Sequence, residues 1–268
     1  MFKNLVRSKL GLFIFILYAL LLGWWVKLFL SGQQSGLENY LFGAAYPILA
    51  LVSGINGLII SRIYGGWSSV MGRGIIYLSL ALLGQVFGQF IWTYYNIFAK
   101  IEVPYPSLAD LGYISVIPFD ILAMWSFAKA SGAKFTFKTI SHSIKIILIP
   151  GVMVTIAYFL FLHDYKYDFT NPVKVFLDFG YPLGEAIYIS LAILTYLFSK
   201  KLLGGIMRSK ILFLIFAFIM QFVTDYTFLY MASRNTYYNG GISDLMYATS
   251  FAIYSLALLN LKFIDTKD

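Results

Sequence analysis

Apolar residues form eight long runs along the chain, separated by short polar segments. Each run is close to the roughly 20 residues that an α-helix needs to cross about 30 Å of hydrocarbon. The first run follows Lys3, Arg7 and Lys9 but is too long for the core of a secretory signal, so we expect an uncleaved helix. The predicted transmembrane helices are Leu10–Leu30, Leu41–Ser61, Gly74–Phe98, Leu108–Lys129, Ile144–Leu162, Val173–Ser199, Lys210–Met231 and Asp244–Phe263.

The composition supports this all-α, polytopic membrane class. Hydrophobic residues make up 60% of the 268 residues and charged residues only 12%, whereas soluble domains have roughly 25% charged residues. The mean hydropathy is +0.77. The net charge of +8 comes from basic residues between the apolar runs, so we expect no nucleic-acid partner and a chain embedded in the lipid bilayer.

The basic residues also predict the orientation. Fifteen of the 20 Lys and Arg residues fall in the two termini and every second loop, and the other loops hold only Lys27, Lys100, Lys166, Lys174 and Arg234. Cytoplasmic segments of membrane proteins carry the excess of Lys and Arg. We predict a multi-pass plasma-membrane protein with both termini in the cytoplasm.

The two halves of the chain share short motifs at corresponding places. Ala109–Tyr113 (ADLGY) matches Ser243–Tyr247 (SDLMY), and Tyr46-Pro47 matches Tyr181-Pro182. With four helices each, both halves cross the membrane in the same direction. We predict two parallel four-helix repeats, residues 1–131 and 132–268, related by a pseudo-two-fold axis along the membrane normal. The alternative is chance, because apolar helices align with one another easily.

Several kinds of chemistry are excluded by the residue types. The chain has no cysteine, which excludes disulfides, zinc thiolates and iron–sulfur clusters. His142 and His163 stand at opposite ends of the fifth helix, so they cannot face each other across a haem. No lysine lies mid-helix, as a retinal Schiff base requires. We therefore expect no catalytic residue, no cofactor and no dedicated metal site, and we do not predict an enzyme.

A stiff polar segment, Pro104–Asp110 (PYPSLAD), joins the third and fourth helices. Pro104 and Pro106 hold the residues before them extended. Ser107 and Asp110 have the spacing of a capping box at the start of the fourth helix. These four residues form a predicted structural corner on the outer side.

The stretch Gly88–Leu122 resembles the multi-span transmembrane sensor region found N-terminal to PAS, histidine-kinase and diguanylate-cyclase modules of bacterial and archaeal signalling proteins. The resemblance rests on Gln89, Trp92, the PYPSLAD segment and Tyr113. Gln89 stands where an acidic residue is usual, and no output module follows in this chain. The resemblance implies a membrane-embedded sensing module that stands alone.

Polar residues inside the apolar runs mark a candidate site, because burying a charge in a membrane helix costs at least about 2.5–3.5 kcal/mol. Acids occur in the fourth, sixth and seventh helices, and polar stripes occur at helical spacing in the third and seventh. If they face the bundle interior, they line a polar chamber in its outer half; the alternative is hydrogen bonding between helices. The predicted ligand- or cation-binding residues are Asp120, Asp178, Glu185, Asp225, Gln85, Gln89, Trp92 and Gln221.

Two functions follow from this chamber. The first is a sensor or scaffold that binds a small ligand or cation and signals to a separate cytoplasmic protein. The second is a proton- or cation-coupled transporter of small solutes, which needs a path to both faces. No Lys or Arg lies deep enough to neutralise the acids, so three contents stay open: protonated acids, a metal or organic cation, or water.

The expected partners are the bilayer, a cytoplasmic signalling protein and, as an open alternative, further copies of the chain. The basic loop Lys129–Lys145 is either a docking surface for the signalling protein or a contact with anionic lipid headgroups.

Overall fold

A computed structural model describes residues 2–133, 135, 140–199 and 205–263 of the chain. Every regular element within these residues is a helix, and eight helical segments are long and apolar enough to cross a membrane. These eight spans are Lys9–Ser31, Leu37–Ile63, Val70–Ala99, Leu108–Ala130, Ile140–Leu162, Pro172–Ser199, Ser209–Ser233 and Ile242–Lys262. The predicted all-α polytopic fold is confirmed, and each span begins and ends within about one helical turn of its predicted bounds.

Some spans are not regular throughout. The second consists of two helices, Leu37–Ala45 and Pro47–Ile63, because Pro47 has no N–H for the carbonyl one turn earlier. The third and fifth spans end in π-helical turns, at Tyr94–Ala99 and Tyr158–Leu162. Two short elements lie outside the spans, a helix at Phe2–Arg7 and a 3₁₀ turn at Gly66–Ser68. The helix that contains the seventh span begins before it, at Gly205.

The third and fourth spans pack most closely, through glycines on both helices. A Cβ atom on Gly112 would lie 2.5 Å from the backbone nitrogen of Gly88 and 2.6 Å from the carbonyl oxygen of Gly84. Small residues at helix interfaces let two backbones approach in a membrane, where burial of apolar surface gives little driving force. This close contact fixes the third and fourth spans as one unit.

The remaining contacts are consistent with the predicted repeat. The second span packs against the eighth, and the fourth packs against the sixth, as an exchange of the two halves by a two-fold rotation requires. The third span pairs with the fourth, and the seventh with the eighth. The division at residues 131 and 132 stays a prediction.

The first and fifth spans lie at the periphery and bury the smallest share of their side chains. Large apolar residues such as Leu20, Leu30, Ile140 and Ile147 are exposed on them. In a membrane, such faces contact lipid tails rather than water. Most of the buried polar side chains in the described part of the chain accordingly belong to the other six spans.

Substitution of Gly112 tests the close contact between the third and fourth spans. We expect Gly112→Ala to lower the free energy of unfolding by about 1–3 kcal/mol, because the added methyl group meets backbone atoms that cannot move aside. The matched control is Gly151→Ala, whose methyl group would meet nothing within 4 Å. Melting temperatures of the purified proteins measure the difference, and equal melting temperatures for the two variants would contradict the close contact.

Candidate functional site

A cavity of about 630 Å³ lies in the half of the bundle that carries Pro104–Asp110. We call this cavity the chamber, and we call this end of the bundle the motif side. Helices of the second to eighth spans contribute to its wall, the fifth only through Phe161, together with the loops that join them.

The chamber wall is both acidic and aromatic. Its five carboxylates are Asp110, Asp178, Glu185, Asp225 and Asp244, and one lysine, Lys174, faces them. Its ten aromatic residues are Tyr46, Trp92, Tyr105, Tyr113, Phe161, Tyr165, Tyr181, Phe228, Tyr237 and Tyr247.

The structure brings together six of the eight residues predicted to bind a ligand. Gln85, Gln89, Trp92, Asp178, Glu185 and Asp225 all line the chamber. Asp120 and Gln221 do not line it, although both are buried in the bundle. Of the predicted corner, Pro104, Ser107 and Asp110 reach the wall and Pro106 does not.

Gln89 holds three helices together on one side of the chamber. Its Oε1 accepts hydrogen bonds from the hydroxyls of Tyr113 at 2.8 Å and Tyr46 at 3.2 Å. Its Nε2 donates to the carbonyl oxygen of Gly43 at 3.1 Å. That carbonyl lacks its helical donor because Pro47 stands four residues later. Gln89 therefore satisfies the backbone group that the proline leaves free.

Asp225 occupies the corresponding place in the second half of the chain. Its carboxylate accepts a hydrogen bond from the Tyr247 hydroxyl at 2.7 Å and from Gln221 Nε2 at 3.0 and 3.1 Å. Gln221 in turn accepts from the Ser250 hydroxyl at 2.8 Å. Gln221 thus supports Asp225 from behind the wall. The pair Tyr247–Asp225 matches the pair Tyr113–Gln89 under the predicted repeat.

Asp178 ties two loops together at the rim of the chamber. Its two oxygens accept hydrogen bonds from the hydroxyls of Tyr105 and Tyr165, each at 2.7 Å. Burial and these hydrogen bonds to Asp178 raise the pKa of both hydroxyls, that of Tyr165 to about 12. Both tyrosines therefore stay protonated near neutral pH and continue to donate.

The PYPSLAD corner is formed by a capping box and a contact with the sixth span. Ser107 caps the fourth helix, and its backbone N–H donates to Asp110 at 2.7 Å. The other oxygen of Asp110 accepts from the Tyr181 hydroxyl at 2.9 Å. The corner therefore fixes the start of the fourth span and also joins it to the sixth span across the chamber.

Asp244 and Trp92 form another part of the chamber wall. Asp244 accepts from the backbone N–H of Gly240 at 2.7 Å and from the Tyr237 hydroxyl at 3.2 Å. Trp92 donates its indole N–H to Asn239 at 2.9 Å. The Trp92 ring also makes edge-to-face contacts with Tyr113, Phe228 and Tyr237 at centroid distances of 6.0–6.5 Å, a favourable geometry for aromatic pairs.

Glu185 differs from the other four carboxylates of the wall. It is 4% exposed, and its Oε2 has no hydrogen-bond partner among the residues that the structure describes. It lies close enough to Asp225 to interact with it electrostatically. Asp120, beneath the wall, likewise has a buried Oδ1 without a partner in the described part of the chain.

Beneath Glu185 the bundle is filled by an aromatic layer of Phe127, Tyr188, Phe218 and Tyr254, all fully buried. Phe218 contacts the other three rings at centroid distances of 5.5–6.4 Å. The layer lies between the chamber and the side of the bundle opposite the motif side. None of these four rings lines the chamber.

Sequence reasoning missed the tyrosines of the wall and Asp244 as site residues. Tyr113 and Tyr247 marked the repeat, and Tyr113 also marked the sensor-region resemblance, although their matched positions beside polar stripes could have revealed them as site residues. Tyr237 lines the chamber and donates to Asp244. Its partner is seven residues away across a turn, a relation that helical spacing does not show.

Comparison of the chain with known protein families, with curated proteins and with solved structures returns no match.

Removal of the Asp178 carboxylate tests its role as a tie between two loops. We expect Asp178→Asn to speed amide hydrogen exchange several-fold in residues 100–107 and in residues 163–171, because the amide offers only one oxygen to two tyrosine donors. Hydrogen exchange followed by mass spectrometry measures both segments. Asp168→Asn is the control, since among the described residues the Asp168 carboxylate accepts hydrogen bonds only from Thr170 within its own turn. Unchanged exchange at 100–107 would exclude the tie.

Proposed function

We propose that the protein is a membrane sensor or scaffold that binds a small ligand or cation in the chamber and transmits a helix shift to a cytoplasmic partner. The observation that carries this proposal is the chamber itself. Its volume of about 630 Å³ lies within the usual range of roughly 300–1,000 Å³ for small-molecule sites. The resemblance of Gly88–Leu122 to the sensor regions of signalling proteins supports the same conclusion. Under this proposal the motif side faces outward and both termini lie in the cytoplasm of a plasma-membrane protein.

The sixth span is suited to carry the signal. It presents Asp178 and Glu185 to the chamber, with Pro182 between them in the helix. A ligand can shift a conformational equilibrium only by binding one state more tightly. A ligand that pairs with Glu185 favours the helix position in which that carboxylate points into the chamber.

The same helix reaches the basic loop on the opposite side. Phe198, near its end, contacts the ring of Phe135 at 5.8 Å and that of His142 at 4.7 Å between centroids. Both residues belong to Lys129–Lys145, of which residues 134 and 136–139 lie outside the described residues. A shift of the sixth span therefore reaches the segment proposed to dock a cytoplasmic partner or to contact lipid headgroups.

The aromatic layer favours a sensor over the alternative transporter. A transporter must open its site to each face in turn, and Phe127, Tyr188, Phe218 and Tyr254 fill the space between Glu185 and the cytoplasmic side. Moving four packed rings out of contact costs the dispersion and aromatic contacts that they make. The transporter stays the second candidate.

Labelling of introduced cysteines tests two things, the orientation of the protein in the membrane and the closure of the chamber toward the cytoplasmic side. The chain has no native cysteine to interfere. We expect a membrane-impermeant maleimide to label Ser233→Cys, at the exposed chamber rim, on intact cells. Ser68→Cys, exposed between the second and third spans, should be labelled only after lysis. Ser190→Cys, one turn beyond Glu185 and 2% exposed, should stay unlabelled from either side. Labelling of Ser190→Cys from the cytoplasmic side would favour the transporter.

Blocking the chamber tests ligand binding. A panel of inorganic cations, amines, organic acids and neutral metabolites is screened by thermal shift and native mass spectrometry against the wild type. We expect at least one compound to raise the melting temperature of the wild type, and we expect Ala232→Trp, which adds a large ring at the chamber wall, to abolish the shift. Ala19→Trp, on the exposed face of the first span, should retain it. If nothing binds, or binding survives Ala232→Trp, the proposed function is excluded.

A further inference from the structure

Hydrogen bonding sets Glu185 apart in the chamber wall. Asp110, Asp178, Asp225 and Asp244 each accept hydrogen bonds from at least two donor groups, one of which is always a tyrosine hydroxyl. The Oε2 of Glu185 accepts none within the described residues. A buried polar group without a partner costs roughly 1–3 kcal/mol, and more when it is charged.

In neither protonation state does Oε2 have a hydrogen bond of good geometry, although Asp225 and the Tyr188 hydroxyl lie close to Glu185. An ionised carboxylate needs a donor at Oε2, and a carboxylic acid with its proton on Oε2 needs an acceptor there. The structure supplies neither among the described residues. Because Glu185 lines the chamber, a ligand bound there can supply the missing partner.

The surroundings select the chemistry of that partner. The chamber presents five carboxylates against one lysine, so it favours a cation. The described residues contain no group of three or more His, Cys, Asp or Glu side chains arranged to hold a metal ion. The ten aromatic residues of the wall offer ring faces, which attract ammonium groups and also pack against apolar groups.

We propose that the ligand of the chamber is a protonated organic amine with an apolar or aromatic body. Its ammonium N–H donates to the Glu185 carboxylate, and the negative charge of Glu185 and its neighbour Asp225 balances the cation. The body lies against the aromatic wall that includes Trp92, Tyr113 and Phe228. This inference rests on the proposed binding function of the chamber and names the class of its ligand.

The test uses the full chain in lipid nanodiscs and compares charged and neutral probes of the same shape. 2-Phenylethylamine, protonated at pH 7, is titrated beside 2-phenylethanol, and other primary and secondary amines are each paired with the matching alcohol. The phenylethyl trimethylammonium ion keeps the charge but has no N–H to donate. We expect at least one amine to bind at least tenfold more tightly than its alcohol, and to bind more tightly than its trimethylated form.

Substitution of Glu185 is the second part of the binding test. We expect Glu185→Gln to weaken binding of that amine at least tenfold, because the side chain keeps its size and loses its charge. Glu102→Gln, an exposed residue of the loop before the corner, is the matched control and should bind like the wild type. Trp92→Phe should weaken binding with Glu185 intact, which keeps the test decisive if Glu185→Gln does not fold.

The outcomes separate this inference from the proposed function. If amines and alcohols bind equally, or if Glu185→Gln binds amines as the wild type does, the ligand class is wrong. If a metal ion, an anion or a neutral compound binds instead and Ala232→Trp abolishes that binding, the chamber remains a sensing site and only the amine is excluded. If no compound of either panel binds, both the amine and the proposed function are excluded.

Discussion

A carboxylate inside a membrane protein needs hydrogen-bond donors, because neither lipid nor bulk water supplies them there. This chain places its Lys and Arg residues near the ends of its helices and in its loops and supplies the donors as tyrosine hydroxyls instead. Tyr105 and Tyr165 donate hydrogen bonds to Asp178, Tyr181 donates to Asp110, and Tyr247 donates to Asp225. A tyrosine donates without carrying a charge, so it satisfies an acid and leaves the negative charge uncompensated. The arrangement of the whole motif side follows from this choice of donor.

One consequence is that the chamber is acidic and aromatic at the same time. The rings that deliver the hydroxyls are themselves the walls, and Trp92 and Phe228 continue them. Such a site combines an electrostatic preference for cations with an apolar surface. Glu185 is the wall acid that this tyrosine network leaves with an unpartnered oxygen, which makes it the natural point of contact for a ligand.

A second consequence concerns the connection between the chamber and the opposite side. Several of these hydrogen bonds end on the sixth span, which carries Asp178, Tyr181 and Glu185. The fourth span is joined to it through Asp110 and is also packed closely against the third through Gly112. Motion of the sixth span is therefore resisted at the rim and transmitted at its far end, where Phe198 meets the basic loop. In physical terms, this is how binding in the chamber reaches the cytoplasmic side under the proposed function.

The sequence by itself determined the features that depend on local composition and spacing. Apolar run length specifies the eight spans, because hydrocarbon thickness sets one length for all of them. Ser107 and Asp110 form their capping box within a single helical turn, so their spacing was sufficient to predict it. The stripe Gln85, Gln89 and Trp92 keeps one face of its helix, and all three residues line the chamber.

Only the tertiary structure decided which buried acids share the chamber and which donors they receive. Asp120 and Gln221 share a helix face with the wall residues Val116 and Asp225, each four residues away. They fall outside the wall because each lies one turn further along its helix, and packing between spans decides how deep the chamber extends. The tyrosine partners come from other spans and loops, as in the pair Tyr105 and Asp178, and no spacing along the chain encodes such contacts. The unpartnered oxygen of Glu185 is likewise a property of the assembled bundle, since it depends on every neighbour that could have supplied a donor.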